Sequence, residues 1–313
     1  MSLDACLPAA LRGPHTAITK IGVGFSGAGV HRVEADGRAY VLKTTAQEQP
    51  LADWRRTLFI VRAASEAGLA PRVVHVDESQ RAIVSEFVTD QSVPRLYHDP
   101  RTHDAALALL GETLRRVHAL PVPPAAAPSR PRELLDSMWS GLRANATVPS
   151  FVTDAVQRAL AEPPPAASML VLSHNDANPT NLVFDGERVL FLDWDAAAPN
   201  DPLYDLAVVS LFLRMDEETS RRLIAAHDGA PPAPLPPAFL YFRWLTGVML
   251  GVGFLSLARG GAGGVPEPDT LDAVPPLAEF YQKLRTGALS LDTNEGRWAF
   301  GLGLMKEAHA LER

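Results

Sequence analysis

The sequence predicts an α+β fold of two lobes: a small antiparallel β-rich N-lobe over residues 1–88 and a larger, mainly helical C-lobe over 89–313. Three observations carry this expectation. Strand-like alternation, a glycine-rich turn and an Asp-Gly pair occupy residues 18–45. Beyond Val88 the apolar residues recur at three and four positions, the period of a helix facing a core. The chain has 313 residues, 47% of them hydrophobic and 21% charged, which is enough apolar material for two cores and too apolar for disorder.

The elements follow in order. Residues 18–22 open a strand that enters a turn containing Gly22, Gly24, Gly27 and Gly29. Residues 30–35 alternate in part, as a half-buried strand does, and Asp36-Gly37 marks a tight hairpin before a returning strand at 39–44. Together these make a three-strand antiparallel meander. In 53–67, Trp54, Leu58, Val61 and Ala64 carry helical spacing, and Gly68 is a C-terminal stop. Strands at 72–76 and 82–87 flank a polar turn. Residues 104–120 place Leu107, Leu110, Leu114 and Val117 on one helical face. A proline-rich connection at 121–131 leads to helices at 134–146 and 151–161, which Pro163, Pro164 and Pro165 end. Short apolar runs at 168–173 and 189–193 flank a polar loop. Helices are expected at 203–215, 219–227, 239–258, 274–284 and 294–311. The run 239–258 has the length of a bilayer crossing, but Arg243, Gly247, Gly251 and Gly253 interrupt it. It reads as a buried helix of a soluble domain, so no membrane span is expected.

Composition narrows the function. A net charge of −7 argues against a nucleic-acid partner, because phosphate neutralisation needs a basic surplus, and is compatible with a cationic substrate. Cys6 is the one cysteine, which excludes an intrachain disulfide and a cysteine-based zinc site. A reducing compartment fits, the first residues do not read as a signal peptide, and a cytoplasmic location is expected. Oligomeric state is unreadable. Of 29 basic residues only Lys20, Lys43, Lys283 and Lys306 are lysine, so each lysine carries weight.

The chemistry concentrates at His174, Asp176 and Asn181, an H-x-D-x-x-x-x-N pattern, followed by Asp193-Trp194-Asp195 at the end of an apolar run. Asp and Asn alone in a loop are ordinary turn-formers. The composite is far more specific. Carboxylate and amide oxygens suit Mg²⁺, a hard cation, and a further carboxylate, Asp176, can accept the proton of a hydroxyl nucleophile. Lys43, on an expected strand, is suited to neutralise nucleotide phosphates. Gly22, Gly24 and Gly27 match both a dinucleotide fingerprint and a phosphate-covering flap. The strand pattern after them, rather than a helix, favours the flap. Ser26 and the backbone amides of 27–29 are the candidate phosphate contacts.

On His174, Asp176, Asn181, Asp193 and the downstream Asp201-Pro-Leu-Tyr-Asp-Leu-Ala207, together with Gly68-Leu-Ala-Pro71 and the helix end at 114–118, the sequence resembles the aminoglycoside phosphotransferase and choline kinase superfamily. The resemblance covers about residues 18–215, and the wording around His174 leans to the choline kinase branch. It implies a protein-kinase-like fold, ATP and Mg²⁺ as cofactors, and a small alcohol or amino alcohol as acceptor, choline/ethanolamine-like or aminoglycoside-like. By it Asp176 is the catalytic residue and Asn181 and Asp193 bind Mg²⁺. Asp195 is supporting or a second metal contact, and Asp205 supports the loop. Lys43, Gly24, Ser26 and Gly27 are implied to contact the nucleotide phosphates. Glu86 and Val88 fall in the segment whose backbone holds adenine. His174 is expected to orient its loop by hydrogen bonding.

One residue departs from the pattern. The superfamily pairs its strand lysine with a glutamate on the following helix, near position 57, where this chain has Thr57. Asp53 could reach Lys43 only if the helix is placed differently, and Glu48 and Glu66 are worse placed. Hence a second reading, a catalytically weak or inactive nucleotide-binding regulatory protein, stands beside the kinase. A dinucleotide-dependent oxidoreductase is a distant third. The acceptor pocket is expected from helices after Leu203.

Overall fold

A computed structural model describes residues 3–21, 29–124, 126–165, 169–258 and 268–310. The chain divides into two compact units, Met1–Ala127 with Val171–Pro199, and Pro128–Leu170 with Asn200–Arg313.

The first unit is built on five strands: β1 (Ala17–Lys20), β2 (Gly29–Ala35), β3 (Arg38–Thr44), β4 (Val73–Asp77) and β5 (Ala82–Glu86). They form an antiparallel sheet in the order β1-β2-β3-β5-β4, which extends the expected meander by a hairpin. Asp36 and Gly37 both have positive φ (50° and 75°), the signature of the hairpin turn whose twist suits the flanking strands. Side chains alternate across the sheet. Leu42 and Val84 face a cluster with Cys6, Leu7 and Val33 on one side. Ile83 faces Trp54 and Leu58 of α1 (Leu51–Glu66) on the other. Lys43 pairs with Ile83 and so lies on the α1 side.

Helix α1 ends as Gly68 predicts. Gly68 has φ 68°, and the Leu69 N–H reaches back to the Ala64 carbonyl at 2.8 Å, a Schellman closure. Two helices follow, α2 (Val93–His98) and α3 (His103–His118), the first unforeseen. After the excursion into the second unit the chain returns with β6 (Val171–Ser173), β7 (Leu182–Phe184), β8 (Val189–Phe191) and β9 (Ala198–Asn200). β6 pairs with β9, and β7 with β8 as a hairpin.

The second unit is helical: α4 (Pro131–Asn145), α5 (Ser150–Ala161), α6 (Pro202–Phe212), α7 (Glu217–Asp228), α8 (Pro237–Leu257), α9 (Leu277–Arg285) and α10 (Asn294–His309). α8 is long and apolar enough to cross a bilayer by length and composition. However, 72% of its most apolar window is buried against the rest of the protein, and it packs on α4, α5, α6 and α10. Its backbone approaches α10 closely: a Cβ on Gly251 would lie 2.9 Å from the Gly301 carbonyl oxygen. Arg243, 1% exposed, sits within α8. It donates to Ser210 Oγ at 3.1 Å and lies 3.4 Å from Glu307 of α10. Two boundaries differ from the spacing. α4 starts at Pro131 rather than 134, because proline is accepted in the first helical turn. α9 starts at Leu277 rather than 274, because Pro275 and Pro276 hold the chain extended ahead of it.

Candidate active site

The site is assembled from the strand lysine of β3 and the two loops that leave β6 and β8. His174, fully buried after β6, donates from Nε2 to the Leu192 carbonyl at 2.8 Å. Its ring lies edge-on to Trp194 at 4.8 Å. The Leu192 N–H in turn reaches the Asn181 carbonyl at 2.8 Å, and the Phe191 N–H reaches Leu69 at 2.7 Å. Loop, strand end and the turn after α1 are thus stitched together by backbone bonds. His174 orients its loop in the way the sequence suggests.

Within the loop, Asp176 accepts from two asparagines that follow it. Asn178 Nδ2 is 2.8 Å from Oδ1, and Asn181 Nδ2 is 2.8 Å from Oδ2 and 3.0 Å from the Asp176 carbonyl. Asn178 also caps the turn Pro179–Asn181 by accepting the Thr180 N–H at 2.9 Å. Asn175, with φ 62°, donates to the carbonyls of Ala196 (3.0 Å) and Ala198 (3.2 Å), tying the loop to the segment beyond Asp195. The sequence reading missed Asn175 and Asn178. The only signal was an asparagine density that turns share.

Asp193 leaves β8 in the left-handed region (φ 55°, ψ 69°), and the turn Trp194–Ala196 follows. That conformation is uncommon outside glycine, asparagine and aspartate, and it turns the chain at the Asp193 carboxylate. Lys43 Nζ is 2.7 Å from Asp193 Oδ1 and 2.7 Å from Asp195 Oδ2. Burial alone would lower the Lys43 ammonium's pKa, but the charges of Asp195 and Asp193 hold it above its ordinary value. Burial pushes against Asp193 ionising, and the Lys43 charge and hydrogen bond outweigh it, leaving the carboxyl below the usual range. For Asp176 burial wins. Its carboxyl lies above the usual range despite the bonds from Asn178 and Asn181, and the Asp193 charge adds to the rise.

Lys43, Asp193 and Asp195 therefore form one bonded set and Asp176 with Asn181 another, and the backbone bond from Leu192 to Asn181 links the two. Gly24, Ser26 and Gly27 lie outside the described residues. Gly29, the first residue of β2, leaves no room for a side chain, because a Cβ would meet Thr44 Oγ1 at 2.5 Å. Glu86 closes β5 with its carboxylate on Arg72 at 2.6 Å, and Val88 follows it outside the strand. Thr57 is buried on α1, and Asp53 is bonded to Arg56 at 2.7 Å rather than to Lys43.

The donor set fits magnesium. Among the described residues no three Asp, Glu, His or Cys side chains form a metal cage. Asn181 directs its amide N–H to Asp176, which leaves its Oδ1 as a hard donor, and the Asp193 side chain is 36% exposed. Few protein oxygens, open to water and to substrate phosphates, are what Mg²⁺ takes.

The second unit holds a cavity of about 670 Å³, lined by Tyr241, Phe242 and Leu245 of α8 with Asp136, Asp201 and Arg132.

The family described as "Phosphotransferase enzyme family" matches residues 17–240. A 54-residue segment is 32% identical to Protein LicA of Haemophilus influenzae, covering 17% of this chain and 20% of that protein. Among solved structures, a choline/ethanolamine kinase family protein from Mesorhizobium loti has a TM-score of 0.60 at 20% identity, covering 96% of this chain and 95% of that one. A LicA structure in complex with AMP scores 0.57 at 14% identity, covering 89% and 94%. An aminoglycoside-3'-phosphotransferase of type VIII scores 0.51 at 22% identity, covering 76% and 96%. These likenesses establish the kinase-like α+β fold.

Proposed function

Because the chain belongs to the phosphotransferase enzyme family, we propose that it transfers the γ-phosphoryl group of ATP to a hydroxyl of a small, cationic alcohol, choline- or ethanolamine-like or aminoglycoside-like. The observation that carries this reading is the bonded group itself: Lys43 between Asp193 and Asp195, beside a loop in which Asp176 is fixed by two amides. The nucleotide lies against the N-lobe of residues 1–88. Gly24, Ser26, Gly27 and Lys43 contact its phosphates, and the backbone at Glu86 and Val88 holds its base. The C-lobe of residues 89–313 supplies catalysis and the acceptor site. The AMP held by a LicA structure of similar fold supports a nucleotide ligand.

Asp176 takes the proton of the acceptor hydroxyl while the new O–P bond forms and the bond to ADP breaks. Its raised pKa makes it a better base than an ordinary aspartate. Asn178 and Asn181 hold both of its oxygens. Asn181 and Asp193, with Asp195 near, would hold Mg²⁺, which when bound with ATP supplies charge neutralisation on the phosphate oxygens. Lys43 adds a fixed positive charge. The cavity of the second unit carries charges of both signs: Arg130 pairs with Glu133, Arg132 donates to the Leu160 carbonyl and Asp201 caps α6. The aromatic faces of Tyr241 and Phe242 with the Asp136 carboxylate are what it offers a cationic group.

The test is ADP release from purified protein with ATP, Mg²⁺ and a panel of amino alcohols and aminoglycosides. Asp176→Asn should lower kcat on the order of 10²–10⁴-fold and leave nucleotide binding in place. Wild-type turnover in that variant would refute the assignment. A second reading, a nucleotide-binding regulatory protein without turnover, is favoured by one observation: Thr57 stands on the inward side of α1 without a carboxylate. Nucleotide binding with no ATP consumption across the panel would select it.

A further inference from the structure

We propose that Asp195 is the residue that holds Lys43 in position when metal and nucleotide are bound, and that it is not a metal ligand. This rests on the nucleotide-binding reading above. In the structure one ammonium bridges two carboxylates at equal distance, 2.7 Å to each. A divalent cation arriving with nucleotide needs a carboxylate from this pair, and the lysine needs one left to hold it. The two acids are not equivalent. Asp193 directly follows Leu192, whose N–H is bonded to the Asn181 carbonyl, and its charge acts on Asp176. It therefore belongs to the side of the group that carries the other hard donor, Asn181. Asp195 lies further along, in the turn Trp194–Ala196, and α1 packs on that turn.

Two features make Asp195 a fixed anchor. Trp194 is 2% exposed and donates from Nε1 to the Phe191 carbonyl at 3.1 Å, so the turn is wedged into the interior one residue before the acid. Asn175 pins the other end of the turn through the Ala196 carbonyl. Meanwhile α1 brings no competing anchor. Its inward residues are Trp54, Thr57, Leu58, Ile60 and Ala64, and Asp53 is held by Arg56. The carboxylate that the buried face of α1 lacks is supplied by the turn it packs on.

Only four lysines are present, so protein labelled with ¹³C,¹⁵N-lysine gives few side-chain signals, and Lys43→Arg assigns the relevant one. With Mg²⁺ and a non-hydrolysable ATP analogue, Asp195→Asn should shift the Lys43 signal away from its wild-type position, and Asp195→Glu should restore it. In parallel, Asp195→Asn should lower kcat on the order of 10–100-fold with the half-saturating Mg²⁺ concentration unchanged. Asp193→Asn should instead raise that concentration at least about tenfold. If Asp195→Asn raises the Mg²⁺ requirement as Asp193→Asn does, or leaves the Lys43 signal of the loaded protein unmoved, the inference is overturned while the kinase reading stands. If Mg²⁺ and the analogue change no lysine signal in wild type, the nucleotide reading fails and the inference falls with it.

Discussion

Asp176 shows how much of a side chain's character is set by its neighbours. Its two oxygens are claimed by Asn178 and Asn181 before any substrate arrives, so its orientation is decided by the loop, and its basicity by burial. The sequence announces Asp176, Asn181 and Asp193 because a composite pattern of types and spacing is specific. It is silent on Asn175 and Asn178, whose roles arise from where the loop bends. It is also silent on the partner of Lys43, because a contact between positions 43 and 195 leaves no trace in local spacing. A second residue-scale consequence concerns Tyr281, whose phenol burial pushes up from the ordinary 10 to about 12. The neutral form is favoured in the folded state. That contribution is therefore intact below pH 10 and is lost as pH rises towards 12. We predict that Tyr281→Phe retains about 1–3 kcal/mol more stability than wild type at the top of that window relative to pH 8, as read by urea unfolding at each pH.

Among the elements, α8 and α10 carry the most specific packing. Gly251 and Gly301 let the two backbones meet, and a methyl at 251 would stand 2.9 Å from the Gly301 carbonyl and 2.6 Å from Met305 Cγ. Gly251→Ala should cost about 1–3 kcal/mol through overpacking, although alanine is the better helix former. A denaturant midpoint unchanged from wild type would show that the helices can part freely. The glycines of 239–258 were legible as interruptions of a membrane-like run, and the structure gives two of them their reason: Gly247 and Gly251 are the contact surface for α10, while Gly253 faces Met138 of α4. Most elements were legible from periodicity. Of the very short ones, β6 and β8 fall within the apolar runs at 168–173 and 189–193, whereas α2 and β7 were not legible. α2 has six residues and β7 three, and neither is long enough to display a period. The helix starts at Pro131 and Leu277 were shifted by proline chemistry that spacing ignores.

At the scale of the whole molecule, ligand linkage is the direct measurement. Anything that binds only the folded chain stabilises it by mass action, about 2.7 kcal/mol at a hundredfold excess over Kd. Mg²⁺ with ATP should raise the thermal midpoint, and NAD should not. The opposite pattern would favour the oxidoreductase reading that the strand after Gly29 disfavours. Fold class was legible because the switch from alternation to helical spacing is a property of long stretches. The grouping of 171–199 with the N-terminal residues was not, since it depends on where the chain returns.

That return has a consequence in time. Lys43 leaves the ribosome long before Asp193 and Asp195, with the whole of 128–170 made in between. Until then the ammonium on β3 has neither of its acids. The unit closes only when the later strands arrive to dock on the earlier sheet, a loop closure whose entropic cost grows slowly with length. The charged centre therefore cannot form on the nascent chain until Asp193 and Asp195 have been made.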